Sequence, residues 1–250
     1  MSETFNPFAA AVEATKTLTS NVRQGGLPDS KLYRTTIKAA YFIANAWNAN
    51  KTDLVFHLEL PSGFQHKQAF TVLQDGKPSF MKDGKDTMLR GYIEASHLVG
   101  AATDGKTIND VYGSIEDKMV KVYDFDKKAE VDTSVKALVD LVGLEVNVGL
   151  VKQVKNKVVN EGTQVSPNWV DQPERKETIL FQTASSVNTN LTYAEMNGGV
   201  AEADAKEADA WAKLNNGKTW DTYREIKTTS GVPAGVGIPT SGAAEVQHFG

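Results

Sequence analysis

The residues best equipped for chemistry in this 250-residue chain are lysines, and they occur in two contexts. The first is Gly100-Ala-Ala-Thr-Asp-Gly-Lys-Thr107, a full match to G-x-x-x-x-G-K-T. Such a loop can cradle a triphosphate with its amides, place Lys106 on the phosphates and set the Thr107 hydroxyl on a magnesium ion. That chemistry needs a buried strand before the loop and a long helix after it. Here the preceding segment, Met88 to Ala101, has helical spacing in Leu89, Ile93 and Leu98, and the following Ile108-Asn-Asp-Val-Tyr is broken by Gly113. No strand ending in a convincing Walker-B aspartate follows. A Gly-rich turn between helices is the better reading, and P-loop-type nucleotide binding through Gly100 to Thr107 stands as an alternative function.

The second context is lysine and arginine interleaved with aromatics in strand-like segments. From Lys31 to Ile43 the odd positions Tyr33, Ile37, Ala39, Tyr41 and Ile43 read as a core face, which puts Arg34, Lys38 and Phe42 on the other, near Trp47. A hairpin around Ser79-Phe-Met81 sets Phe80 among Lys77, Lys82 and Lys85. A third group, Lys152, Lys155 and Lys157, lies among valines. Cations that neutralise phosphates beside aromatics that stack bases are what a single strand of nucleic acid requires. Solvated strand faces produce the same residue types, because exposed Lys and Arg are commonplace, and Phe80 fits equally as a hydrophobic plug.

Positioning these groups falls to strands. Leu54, Phe56, Leu58 and Leu60 alternate with Val55, His57 and Glu59, and Pro61-Ser-Gly-Phe64 turns the chain into a run from His66 to Leu73. Three antiparallel strands are thus expected by residue 73. Gln74-Asp-Gly-Lys77 and Lys82-Asp-Gly-Lys85 bound the small hairpin. Lys118 to Asp124 and Ala129 to Val135 read as two strands about Asp126-Lys-Lys128, and Val135 to Val142 as a short helix. Asp124, Asp126 and Asp132 hint at a calcium loop, but the central glycine and final glutamate are missing, so turn chemistry is preferred.

The chain is organised around Leu141 to Thr183, two strands joined by a long polar loop containing Pro167 and Pro173. Val146, Val148 and Leu150 alternate with Glu145, Asn147 and Gly149. A change of apolar parity near Leu150 to Gln153 suggests a bulge, with the lysines gathered beyond it. Glu177 to Thr183 returns as the partner strand. At either end, Pro7 to Thr19 reads as a short helix, Ala201 to Leu214 as a polar helix touching the body through Trp211 and Leu214, and Thr228 to Gly250 as a flexible tail.

With no cysteine and four scattered histidines, disulfides, thiol chemistry and zinc are disfavoured, and neither a metal nor a cofactor is expected. No apolar run approaches the roughly 20 residues of a membrane helix. The N-terminus lacks a basic start and an apolar core, so a cytoplasmic protein is expected. The net charge of -4 divides into -1 for residues 1–30, +2 for 31–160 and -5 for 161–250. A nucleic-acid-binding core with an acidic appendage has that asymmetry, and so does ordinary surface variation.

A meander, an inserted helix and a long hairpin form the layout of an OB-fold barrel. The order of motifs resembles phage-encoded single-stranded DNA-binding proteins over roughly residues 30 to 185. The matching stretches are Asp75 to Lys85, Leu89-Arg-Gly-Tyr92, Lys118 to Phe125, Leu141 to Gln153 and Asn156-Lys157. The resemblance implies non-catalytic coating of single-stranded DNA in replication, recombination or transcription, within a host cytoplasm. Phage or host polymerases and other replication proteins would be partners, and a homo-oligomer is possible. Such proteins often end in an acidic stretch capped by an aromatic, whereas Phe249 has only Glu245 nearby. The expected architecture is therefore mainly β with α additions. It comprises an N-terminal arm (1–30), an OB-fold-like antiparallel barrel (31–185) with an inserted helical segment, a C-terminal helical appendage (186–227) and a tail (228–250). The contact set would be Arg34, Lys38, Phe42, Trp47, Lys77, Phe80, Lys82, Lys85, Lys152, Lys155 and Lys157. A third reading is a structural or assembly protein without a nucleic-acid ligand.

Overall fold

A computed structural model describes residues 27–226, apart from 125, 126, 128, 163–165 and 167. The helix expected over Pro7 to Thr19, the tail from Thr228, Asp126 and Pro167 lie outside the described residues. The fold is mainly β. A meander of β1 (Lys31–Asn45), β2 (Asn48–Glu59) and β3 (Gln65–Gln74) is followed by a separate two-stranded hairpin, β4 (Ser79–Lys82) and β5 (Lys85–Met88). Helices α1 (Arg90–Ala102) and α2 (Ile108–Tyr112) come next. Then a first ribbon, β6 (Ile115–Asp124) and β7 (Ala129–Leu138), is succeeded by a second, β8 (Glu145–Asn160) and β9 (Trp169–Ser185). The chain ends in α3 (Tyr193–Asn197), α4 (Glu207–Asn215) and a short strand, β10 (Thr219–Asp221).

All strands except β4 and β5 belong to one sheet, which runs β10-β8-β1-β2-β3 and is not closed into a barrel. One edge of β1 is shared. Lys31 to Thr36 pair with Leu150 to Glu145 of β8, and Tyr41 and Phe42 pair with Ala137 and Lys136 of β7. Between them a 3-10 turn, Val139–Leu141, and the bonds Gly143 N–H to Ile37 O and Ile37 N–H to Leu144 O hand the edge over. The expected helix at Val135–Val142 is thus the end of β7 plus this turn.

The inner face of the sheet is the main core, with Ile37, Leu54, Phe56, Leu58, Val146, Val148 and Leu150 essentially inaccessible beneath Leu98 and Val99 of α1. Alternation in β2 predicts this face correctly. The outer face is not solvent. Tyr41 and Val55 are buried there with Val135 and Ala137, Ala137 pairing directly with Tyr41, and from that pairing the first ribbon folds over the meander as a second layer, bringing Glu130 close enough to act on the charge of Lys67. His57 lies in this layer, its Nε2 at 3.1 Å from the Tyr41 hydroxyl. Burial, reinforced by Lys67 directly across the strand pair, lowers its pKa to about 4.

The second ribbon is longer than expected. Its strands pair from Asn147–Ser185 out to Asn160–Trp169, so Pro173 lies inside β9 and not in a loop. It is tolerated because the register jumps there from Lys157–Gln172 to Asn156–Arg175, leaving Pro173 and Glu174 without ladder partners. The other irregularity, at Gly149/Leu150, skips Gln182 of β9, so the bulge expected within β8 near Leu150 to Gln153 lies on its partner strand and β8 keeps its alternation. The expected helix over Ala201–Leu214 divides into a 3-10 turn, Glu202–Asp204, and α4. The start of α4 is set from a distance, because the buried Glu195 carboxylate accepts the amides of Lys206 (2.9 Å) and Glu207 (3.0 Å). Burial pushes that carboxyl up, and these amides with the Thr192 amide and hydroxyl pull it below its ordinary range. Trp211 reaches the body, where a Cβ on Gly149 would lie 2.9 Å from its ring. Leu214 does not; it is 64% exposed.

Candidate nucleic-acid interface

On β1 the anticipated row of Arg34, Lys38 and Phe42 is split by a bulge. Ile37 pairs with Leu58 and Ala39 with His57, so Lys38 is skipped and the parity of the strand reverses. Phe42 therefore turns inward, packs on the main core and meets the ring of Tyr112 edge-on at 5.7 Å. It offers no face to a base. Arg34 and Lys38 remain at the surface but engage Glu145 (2.5 Å) and Glu59 (2.6 Å). The Arg34 hydrogen bond holds the Glu145 carboxyl below its usual range.

Trp47 projects from the β1–β2 turn. The turn is braced by the Asn45 side chain, whose Oδ1 accepts the amides of Trp47 and Asn48, each at 3.0 Å. Trp169, at the far end of the second ribbon, comes to it edge-to-face with centroids 5.4 Å apart. The turn beside Trp169 is braced in the same way, Asn160 Oδ1 accepting the amides of Gly162 and Asn168 at 2.9 Å. The two rings stay 46% and 51% exposed. Sequence reasoning missed Trp169, whose signal was an isolated aromatic in an otherwise polar stretch.

The β4–β5 hairpin has the anticipated form. Asp75-Gly76 and Asp83-Gly84 all take positive φ, from 50° to 75°, the geometry of turns with two left-handed residues. Phe80 is half-buried and Met81 exposed. Lys82 stands directly across from Lys85. Among the described residues no ion pair ties Lys77, Lys82 or Lys85 to a carboxylate, although Asp83 and Asp86 share the hairpin.

The lysines of β8 do not form one basic tip. Alternation places Lys152 on the face that continues from Val148 and Leu150, and Lys155 and Lys157 on the opposite face. Lys152 is only 22% exposed at its side chain and pairs with Glu177 at 3.0 Å; Lys157 pairs with Glu174 at 2.7 Å. Lys155 instead lies directly across from Lys176, and no ion pair answers either among the described residues. Beyond it, Arg175 covers the ring of Tyr223 at 4.3 Å.

The G-x-x-x-x-G-K-T segment is helix, turn, helix. Position 100 lies inside α1 and has room only for glycine, since an added Cβ would stand 1.9 Å from the Tyr193 ring. Asp104 receives the Ser186 hydroxyl (2.5 Å) and the Asn188 amide (2.9 Å). The Thr107 hydroxyl caps α2 with Asp110. Lys106 borders an open groove of about 580 Å³ that also bears Asp104, Asp140 and Glu145, carboxylates that repel phosphate. Among the described residues no group of three His, Asp or Glu side chains is arranged to hold a metal ion, and no helix is long and apolar enough to cross a membrane. No protein-family model, curated protein or solved structure matches the chain.

Proposed function

We propose that the protein binds single-stranded DNA without catalysis, on a sheet of OB-like connectivity. In this reading β1, β2, β3, β8 and β9 are the five OB strands, with α1 inserted after the third, packed against β3, β8 and β9. The gap between β3 and β9 is spanned by Phe70 against Phe181, centroids 5.2 Å apart.

The observation that carries the reading is the pair of directly opposed lysines at two places, Lys82 with Lys85 and Lys155 with Lys176. Like charges set across a strand pair destabilise it, and a bound polyanion turns the same juxtaposition into an attraction. Trp47 and Trp169, both braced and exposed, supply surfaces on which bases can stack. The proteins served, polymerases of replication or transcription, follow from the same proposal, as does a cytoplasmic site of action.

Anisotropy of labelled single-stranded and duplex oligonucleotides across a salt series tests it. Single strands are expected to bind preferentially, with log affinity falling against log salt by about 0.7 per phosphate contacted. Lys82→Ala with Lys85→Ala, and Lys155→Ala with Lys176→Ala, should each flatten that slope. No binding of single strands, or binding indifferent to salt, overturns the proposal.

A further inference from the structure

Among the described residues the first ribbon ends in an open edge. Among the described residues β6 pairs with β7 alone over all ten of its residues, and its other edge has no strand beside it. Unpaired edges of that length recruit other strands unless they are blunted, commonly by lysine. Lys121 does project here, yet Met119 is 60% exposed next to it on the same face.

We propose that β6 pairs antiparallel with β6 of a second copy of this chain, about a two-fold axis through Met119. Charge decides the register. A two-fold normal to the sheet brings residues of equal offset together. Centred on Asp117, Lys118 or Lys121 it sets a like pair on the axis; centred on Val120 it faces Lys121 with Met119 and Lys118 with Val122, and centred on Val122 it joins only the last five residues of β6 and faces Lys121 with Tyr123, so neither answers a lysine of β6 with a carboxylate. Centred on Met119 it sets Met119 against Met119, Ile115 against Tyr123 and Asp117 against Lys121, twice, with no like charges opposed. Within the chain Asp117 already lies across from Lys136, bonded at 2.8 Å, and Lys121 lies across from Asp132. The dimer therefore carries two rows that alternate in sign over four strands: Lys136, Asp117, then Lys121 and Asp132 of the second copy. The edge lysine that would repel an arbitrary strand is answered only by this one.

The test uses DNA-free protein, so it stands apart from nucleic-acid binding. Sedimentation of the full chain should give twice the 27.1 kDa chain mass. The chain has no cysteine, so Met119→Cys introduces a single thiol on the axis. Opposed residues lie roughly 4.5–5.5 Å apart at Cα, within the reach of a disulfide at about 4.4–6.8 Å. Mild oxidation should link Met119→Cys chains and leave Ser134→Cys, one strand further out, unlinked. Asp117→Lys and Lys121→Asp should each weaken dimerisation by about tenfold or more. An equimolar mixture of the two should restore it, because each supplies the charge the other lacks. A monomeric wild type, crosslinking of Met119→Cys no greater than that of Ser134→Cys, or a mixture that stays apart overturns the proposal.

Discussion

Two ribbons leave the same edge of β1, and they are held by opposite means. Beyond the two pairs that join Ala137 and Lys136 to Tyr41 and Phe42, the first, β6–β7, is held by its face: Val135 packs with Tyr41 and Val55, while the β6 edge is bare among the described residues. The second, β8–β9, is held by its edge. From Ser30 onward β10 takes the place of β1, pairing Thr219 to Asp221 with Lys152 to Val154. Past β10 the buried Asn156 fixes the chain with three bonds: Nδ2 to the carbonyls of Gln172 (3.0 Å) and Arg224 (2.8 Å), and the Arg224 amide to its Oδ1 (2.9 Å). Face burial is non-directional and tolerates sliding. Edge pairing with a buried amide specifies one position. A ribbon that must present Trp169 to Trp47 requires the second kind of restraint, and one that covers a layer needs only the first.

Breaking the edge restraint should have the largest effect. Asn156→Leu leaves two carbonyls and one amide without their partner, at roughly 1–3 kcal/mol for each group that stays buried. A loss of about 3 kcal/mol or more is expected in urea unfolding. Residues 219–226 should become protease-sensitive while the β6–β7 layer keeps its exchange protection. Equal loosening of both ribbons would dissolve the distinction.

The face restraint should fail instead with acid. His57 is neutral in the fold, with a pKa of about 4 against 6.5 for the free side chain. As pH falls below 6.5 the unfolded chain takes up this proton first. The stability His57 contributes is complete above pH 6.5, declines through the window from 6.5 to 4 and is gone below it. At 1.36 kcal/mol per pKa unit the loss over this window is about 3 kcal/mol. Burial also lowers the pKa values of His66 and His97, so the informative quantity is wild type minus His57→Phe measured at pH 7, 5.5 and 4.5. A difference that does not change across that window would remove His57 as the acid-labile group.

Trp169→Ala sharpens the comparison at the tip. If bases stack there, single-strand affinity falls by roughly 1–3 kcal/mol with the salt slope preserved. If the ring merely clasps Trp47, melting temperature falls and the affinity of the folded protein holds. The smallest effect belongs to Lys155→Ala with Lys176→Ala. Relief of a like-charge pair on a surface should leave stability within about 0.5 kcal/mol of wild type, on the stabilised side, while DNA affinity drops.

These restraints also explain what was legible in the sequence. The inner face of β2 and both Asp-Gly turns follow from local rules, alternation and left-handed φ, and the structure agrees with both. Phe42 was misplaced because a single skipped residue, Lys38, reverses every side chain after it, and nothing in the alternation of apolar residues marks a bulge. His57 reads as outward because a polar residue opposite a core face usually meets water; it lies instead against Tyr41, in the layer that Val135 and Ala137 complete nearly 80 residues later. The basic residues read as one site because their carboxylates are distant in sequence, Glu145 lying 111 residues from Arg34. Glu195 could not be recognised as the cap of α4, since it acts across a gap of eleven residues instead of the three of a local capping box.

Ser30 is where two segments share one edge of β8: its hydroxyl donates to the Lys218 carbonyl and accepts the Lys152 amide at 2.8 Å. This junction orders folding in time. β1 emerges early and must wait more than 110 residues for Leu150, its partner to Lys31. The β10 strand pairs with β8 and is synthesised after it, so it seats last. Contacts this far apart in sequence make for slow folding, in the range of milliseconds to seconds. During synthesis the meander's inner face, Leu54, Phe56 and Leu58, is left without β8 while the 85 residues between Glu59 and Glu145 are added. A ribosome-bound chain halted before Glu145 should accordingly be a chaperone client, and one extended past Asp221 should not.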